Sequence, residues 1–169
     1  GSRFPTELRG RMFTYRGREE RASSVRDISE RVRAEEALRE SEEKYRTLVE
    51  DARVVVLRWD TSGNITFINE YGLELFGYAE HELVGKSVVG TIVPETESSG
   101  RDLAGMIEEI CRDPERFSDN ENENIARDGR RIWMRWSNKA ILDEAGALAG
   151  ILSIGSDITL RRHAEDQLR

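Results

Sequence analysis

RRIWMRWSNKAILDEAGALAGILSIGSDIT, residues 130–159, is the stretch that decides the fold. Over residues 130–140 the side chains alternate. Ile132, Met134 and Trp136 fall on one face, and Arg131, Trp133, Arg135 and Lys139 on the other, which is the period of a half-buried strand. Asp143-Glu144-Ala145-Gly146 reverses the chain, and residues 148–156 return it as a second strand. Asp157-Ile158-Thr159 then runs with almost no slack into a helix starting near Leu160, because Asp and Thr oxygens accept from the unpaired N–H groups of a helix start.

Working upstream, residues 99–112 carry Leu103, Met106, Ile107 and Ile110 at helical spacing, so a helix there lays one apolar stripe on the sheet. Shorter helical pieces are expected over residues 78–93, ended by Pro94. Asn69 suits the cap of a helix over residues 70–76, with Glu70 well placed against its dipole. In residues 54–69, VVVLRWDTSGNITFIN, two strand-like runs flank the turn Asp60-Thr61-Ser62-Gly63-Asn64. Strands, then helices, then strands define an α+β domain with an antiparallel sheet over residues 50–160.

Residues 28–51 contain no Gly or Pro and are rich in Glu, Arg and Ala, which predicts a helix of about six turns. Ile28, Leu38, Tyr45, Val49 and Ala52 form a heptad seam that Glu35 and Glu42 interrupt. Such a seam fits reversible pairing, and a homodimer through Leu38, Tyr45 and Val49 is the expectation; a solvated helix is the competing one. An internal echo accompanies this helix: VRDISERVRAEEAL, residues 25–38, lines up in step with GSDITLRRHAEDQL, residues 155–168. Each copy follows a glycine-containing turn and a strand-like run. Residues 1–29 therefore read as a Gly1-Ser2 cloning scar followed by the last strands of a preceding unit, and residues 160–169 as the start of the next exit helix. Deprived of their own domain, residues 11–26 are expected to be disordered, helical, or paired with another chain.

With EEKYRTLVEDA, DTSGNITFIN, FGYAEHELVGKS, ARDGRRIWMRWSNKAILDEAG and GSDIT occurring in this order, the chain resembles the PAS family over about two-thirds of its length. The resemblance implies a five-stranded antiparallel sheet with helices on one face, and a preceding PAS domain from which residues 11–29 survive. It also implies a sensor or relay module of a multidomain signalling protein, first of all a sensor histidine kinase, with the fragment itself non-catalytic. In family terms Asp157, Ile158 and Thr159 match the closing motif that ties the last strand to the outgoing helix and relays signals. The alternatives are a small-molecule receptor with its ligand between the sheet and the helix over residues 99–112, or a module of a diguanylate cyclase-type protein.

The candidate pocket comprises Trp136, Met134, Met106, Ile110 and Trp59, although aromatic residues in a small domain serve more often as core. The ligand, if there is one, is not identified by these residues. His81 lies in HELVGK without the arginine and proline of a phosphoacceptor box, and both it and His163 read as surface residues. Neither falls where haem-binding PAS domains carry their ligand. Cys111, in EEICRDPERF, lacks the flavin-reactive context and reads as a small hydrophobe without enhanced reactivity. No cofactor or metal is expected. Glu108, Glu109, Glu121 and Glu123 have no nucleophile or metal cluster beside them and read as a solvated acidic face. The formal net charge of -7 disfavours nucleic acid and anionic membranes as partners, and AGALAGIL is far too short to span a bilayer. With one cysteine there is no internal disulfide, and the cytoplasm is the expected compartment.

Overall fold

The computed structural model describes residues 3–169; Gly1 and Ser2, read as a scar, lie outside them. Two units follow one another, the first ending at Asp51 and the second beginning at Ala52.

In the first unit, strands β1 (Thr6–Tyr15) and β2 (Arg18–Asp27) form an antiparallel ribbon that runs from Thr6 opposite Asp27 to Tyr15 opposite Arg18. Helix α1 (Ser29–Asp51) follows. This corrects the expectation for residues 11–26. They are neither disordered nor helical, and they pair with their own neighbours. The reason is local: the two-residue turn Arg16-Gly17, both with positive φ, closes the hairpin without help from any distant segment. The ribbon has no further strand and is exposed along nearly its whole length. Leu38 and Tyr45 on α1 are exposed as well.

The second unit holds the five-stranded antiparallel sheet that the sequence implies, with helices against one face. Its strands are β3 (Val55–Trp59), β4 (Ile65–Ile68), β5 (Asn120–Ile125), β6 (Arg131–Leu142) and β7 (Leu148–Asp157), in the spatial order β4-β3-β7-β6-β5. Between β3 and β4, the Asp60 carboxylate accepts from the amides of Ser62 and Asn64, both at 2.9 Å, fixing the turn. Helix α2 (Glu70–Phe76) starts where expected. Asn69 Oδ1 accepts from Gly72 N and also from Val56 N, while its amide donates to Val54 O, so one side chain caps the helix and fastens it to β3.

Two helical expectations need correction. Over residues 78–93 only α3 (Glu80–Leu83) is helical, because Gly85 and Gly90 take positive φ and turn the chain. The helix predicted over residues 99–112 begins only at α4 (Leu103–Arg112). Glu97 and Arg101 close a backbone turn ahead of it, and Asp102 caps it by accepting from Gly105 N at 2.9 Å. Its stripe is as predicted: Leu103, Met106, Ile107 and Ile110 are all buried in the core.

On β6 the inward residues Ile132, Met134 and Trp136 are buried, and Trp133 faces the other way. Trp136 lies opposite Gly155 on β7, and a Cβ at position 155 would stand about 2.5 Å from the indole. The ribbon of the first unit carries aliphatic residues at the equivalent pair, where both are exposed. Counted from its Thr6–Asp27 pair as β6–β7 is counted from Met134–Asp157, Leu8 and Val25 occupy the corresponding sites. Gly155→Val should therefore destabilise the second unit by about 1–3 kcal/mol through overpacking. Adding Trp136→Leu should recover part of that loss, as read by urea denaturation.

Candidate functional site

A cavity of about 30 Å³ lies between the sheet and α4, room for about one or two waters. Of the predicted pocket residues, Trp136, Trp59, Met106 and Ile110 line it, whereas Met134 is buried elsewhere in the core. What the pattern of apolar residues did not reveal is the polar side of this cavity. Trp59 Nε1 donates to Ser153 Oγ (2.9 Å), which donates to Asn138 Oδ1 (2.6 Å). Asn138 donates to Asn120 Oδ1 and to Phe117 O. Asn120 donates to Asn122, Asn122 to Asn124, and Asn124 to Ile92 O; Trp136 Nε1 closes the chain on Asn124 Oδ1 at 3.1 Å. Each amide and indole N–H named here has an acceptor, as burial demands.

The outer face of β5 also differs from expectation. Glu123 is buried and does not belong to a solvated acidic face: its carboxylate accepts from Ser98 N and from Arg131, both at 2.8 Å. Burial alone would raise its pKa, but the Ser98 and Arg131 hydrogen bonds outweigh that and hold it below the ordinary carboxylate range. Glu97 accepts from Glu123 N and Ser99 Oγ. Glu121 is half-buried and binds Arg161 and Arg162. The strict Asn-Glu-Asn-Glu-Asn alternation of residues 120–124 was the available signal. Glu108 is solvated as expected, ion-paired only to Arg112 one helical turn on.

The predicted relay residues do meet. β7 ends at Asp157, and helix α5 (Thr159–Gln167) begins two residues later. Asp157 Oδ1 accepts from Thr159 N at 2.8 Å. Ile158 N donates to Trp133 O (2.8 Å), and Thr159 Oγ1 accepts from Trp133 N (3.0 Å), so both backbone groups of one β6 residue are held by the start of the exit helix. The echo in the first unit has the same joint: Asp27 Oδ1 accepts from Ser29 N at 2.8 Å, and Ile28 N donates to Pro5 O.

His81 and His163 are exposed. Cys111 is partly buried, and burial, with Asp60 and Glu108 nearby, pushes its thiol pKa up, away from reactivity. Among the described residues no three His, Cys, Asp or Glu side chains cluster as metal ligands, and no helix is long and apolar enough to cross a membrane.

An antiparallel sheet of this order, with a helix leaving its last strand through a capped joint, is the architecture of a PAS domain. The PAS fold profile matches residues 43–158, well over half of the chain, and the chain belongs to the PAS family. Solved structures similar to it include the PAS domain of an HTR-like protein from Haloarcula marismortui (21% identity, TM-score 0.56, covering 75% of this chain and 98% of that one). A PAS domain from Colwellia psychrerythraea is another (24%, 0.54, 69% and 96%). Among curated relatives, the two-component sensor PprA of Pseudomonas aeruginosa is 30% identical over 146 residues, 84% of this chain. The biofilm dispersion protein BdlA of the same organism is 29% identical over 119 residues, 70% of this chain. The chain spans 15% of the first and 28% of the second.

Because the folded-state pKa of Glu123 is lowered, the stability it contributes is present above its unfolded value near 4.5 and is lost as pH falls through the lower folded one. Glu123→Gln should reduce stability at pH 7 and flatten the loss on acidification below pH of about 5. Urea midpoints of both proteins at several pH values measure this.

Proposed function

We propose that this chain is a relay and dimerisation module of a larger cytoplasmic signal-transduction protein, with a sensor histidine kinase as parent. The observation that carries the reading is the joint at Trp133. A strand and a helix separated by one residue, and bonded to the same neighbouring strand, cannot shift independently. The repeat of that joint at Asp27 supports a second part of the proposal, that residues 3–27 are the closing hairpin of a preceding PAS domain and α1 its exit helix. Kinship with a two-component sensor, and with the sensor protein kinase WalK of Staphylococcus epidermidis (24% identical over 151 residues), favours the kinase as parent. In this reading the catalytic residues of the parent lie outside this chain. A small-molecule receptor, the other reading, is favoured by the cavity lined with Trp136 and Trp59, but requires α4 to lift from the sheet before any organic ligand fits.

Removing a cap costs about 1 kcal/mol, enough to move a balanced equilibrium several-fold. Asp157→Ala in the parent protein should therefore change basal output or its response while the isolated chain keeps its circular dichroism spectrum. Unaltered output would leave Asp157 a structural cap only.

The exposed Leu38, Tyr45 and partly exposed Val49 of α1 support a parallel homodimer, which would align two exit helices for a symmetric output. Leu38→Glu should shift sedimentation toward monomer; an unchanged profile would mean a solvated helix.

A further inference from the structure

Helix α5 buries none of its residues, so its direction relative to the sheet is fixed by a few contacts at its first turn. Two of these are the backbone ties to Trp133. The third attachment is made by side chains. Arg161 and Arg162 both reach the Glu121 carboxylate, one on each oxygen, and the Arg162 guanidinium stacks 4.2 Å above the Trp133 ring.

Glu121 stands in an unusual place to hold a helix. β5 is the edge strand of the sheet; beyond β6 it is held by the segment ahead of α4, Ile125 N donating to Ile92 O, Glu123 N to Glu97 Oε1 and Arg101 to Glu121 O. On its inner side Asn120 and Asn122 line the cavity and belong to the buried hydrogen-bond chain. On its outer side, one residue away from each, Glu121 grips α5. In a strand the two faces cannot move separately, because successive side chains leave the same stiff backbone in opposite directions. A rearrangement of the asparagine row therefore displaces the carboxylate.

We propose that Glu121 is the positioning residue that couples the asparagine-lined cavity to the exit helix, β5 acting as a lever that releases Arg161 and Arg162 when the inner hydrogen bonds rearrange. This rests on the reading of α5 as the outgoing element, but its test does not use output. Hydrogen exchange of the α5 amides, followed by NMR on the whole 169-residue chain, reports the clamp directly. Glu121→Gln should accelerate that exchange about fivefold while β6 and β7 amides keep their protection. Arg161→Gln with Arg162→Gln should do the same from the other side. Asn120→Ala should also accelerate α5, and the double variant with Glu121→Gln should be no faster than Glu121→Gln alone, since both act through one link. Unchanged α5 exchange in Glu121→Gln would overturn the clamp, and multiplying effects in the double variant would overturn the coupling. Failure of the relay reading would instead show only in the output of the Asp157→Ala parent.

Discussion

A strand cannot end with its backbone N–H and C=O groups unpaired among packed neighbours, and in this domain that requirement fixes the site where sheet becomes helix. β6 continues past the last residue of β7, so Trp133 has no ladder partner on that side. Ile158 supplies a backbone N–H to its carbonyl, and the Thr159 hydroxyl takes the place of the carbonyl that a longer β7 would have offered. A side chain thus finishes the sheet while its own backbone already turns into α5. The position and start of α5 follow from completing one strand pair.

The same demand for satisfaction shapes the interior. A purely apolar core between the sheet and α4 would collapse onto itself, whereas three asparagines of β5, one of β6 and a serine of β7 hold each other at hydrogen-bond distance. Both indoles that line the cavity, Trp59 and Trp136, are anchored to this chain by their N–H groups, so they sit at its two ends as fixed walls. Buried polar chains of this kind contribute little net stability but penalise any packing that leaves one member unpaired. The cavity is small because its walls are tied in place, and α4, held by an apolar stripe, joins the network only through Met106, whose Sδ accepts from Asn120 Nδ2 at 3.7 Å.

How much of this could be read from the residues depended on whether hydrophobicity carried the information. The alternation of residues 131–136 and the stripe of α4 announce themselves, and Asn69 before Glu70 marks a helix start through capping chemistry alone. β5 was invisible for the opposite reason: Asn-Glu-Asn-Glu-Asn alternates amide and carboxylate, so its buried face looks as polar as its exposed one. Glu121 and Glu123 were consequently read as solvated, when their partners Arg161, Arg162, Arg131 and Ser98 come from segments that only the sheet brings near. The turn ahead of α4 was missed because the apolar stripe marks the helix face but not its first residue, which Asp102 sets by capping.

The two copies of the joint separate what the backbone dictates from what the core permits. At Asp27 the aspartate bonds the serine amide as Asp157 bonds the threonine amide, yet the residue corresponding to Trp133 is Pro5, which has no N–H to offer. The Ser29 hydroxyl accordingly turns away and donates to Asp27 Oδ1 at 2.6 Å. Two of the three ties survive without the third, so the carboxylate cap and the strand-to-carbonyl bond are sufficient to set a helix after a strand, and the hydroxyl is the adjustable part. Leu8 and Val25, both exposed, stand where Trp136 and Gly155 stand in the second unit, with no change in strand register at that pair. The ties therefore form whether the strand pair behind them is covered, as at Trp136 and Gly155, or exposed, as at Leu8 and Val25, because they are made by backbone groups and by residues of the turn itself.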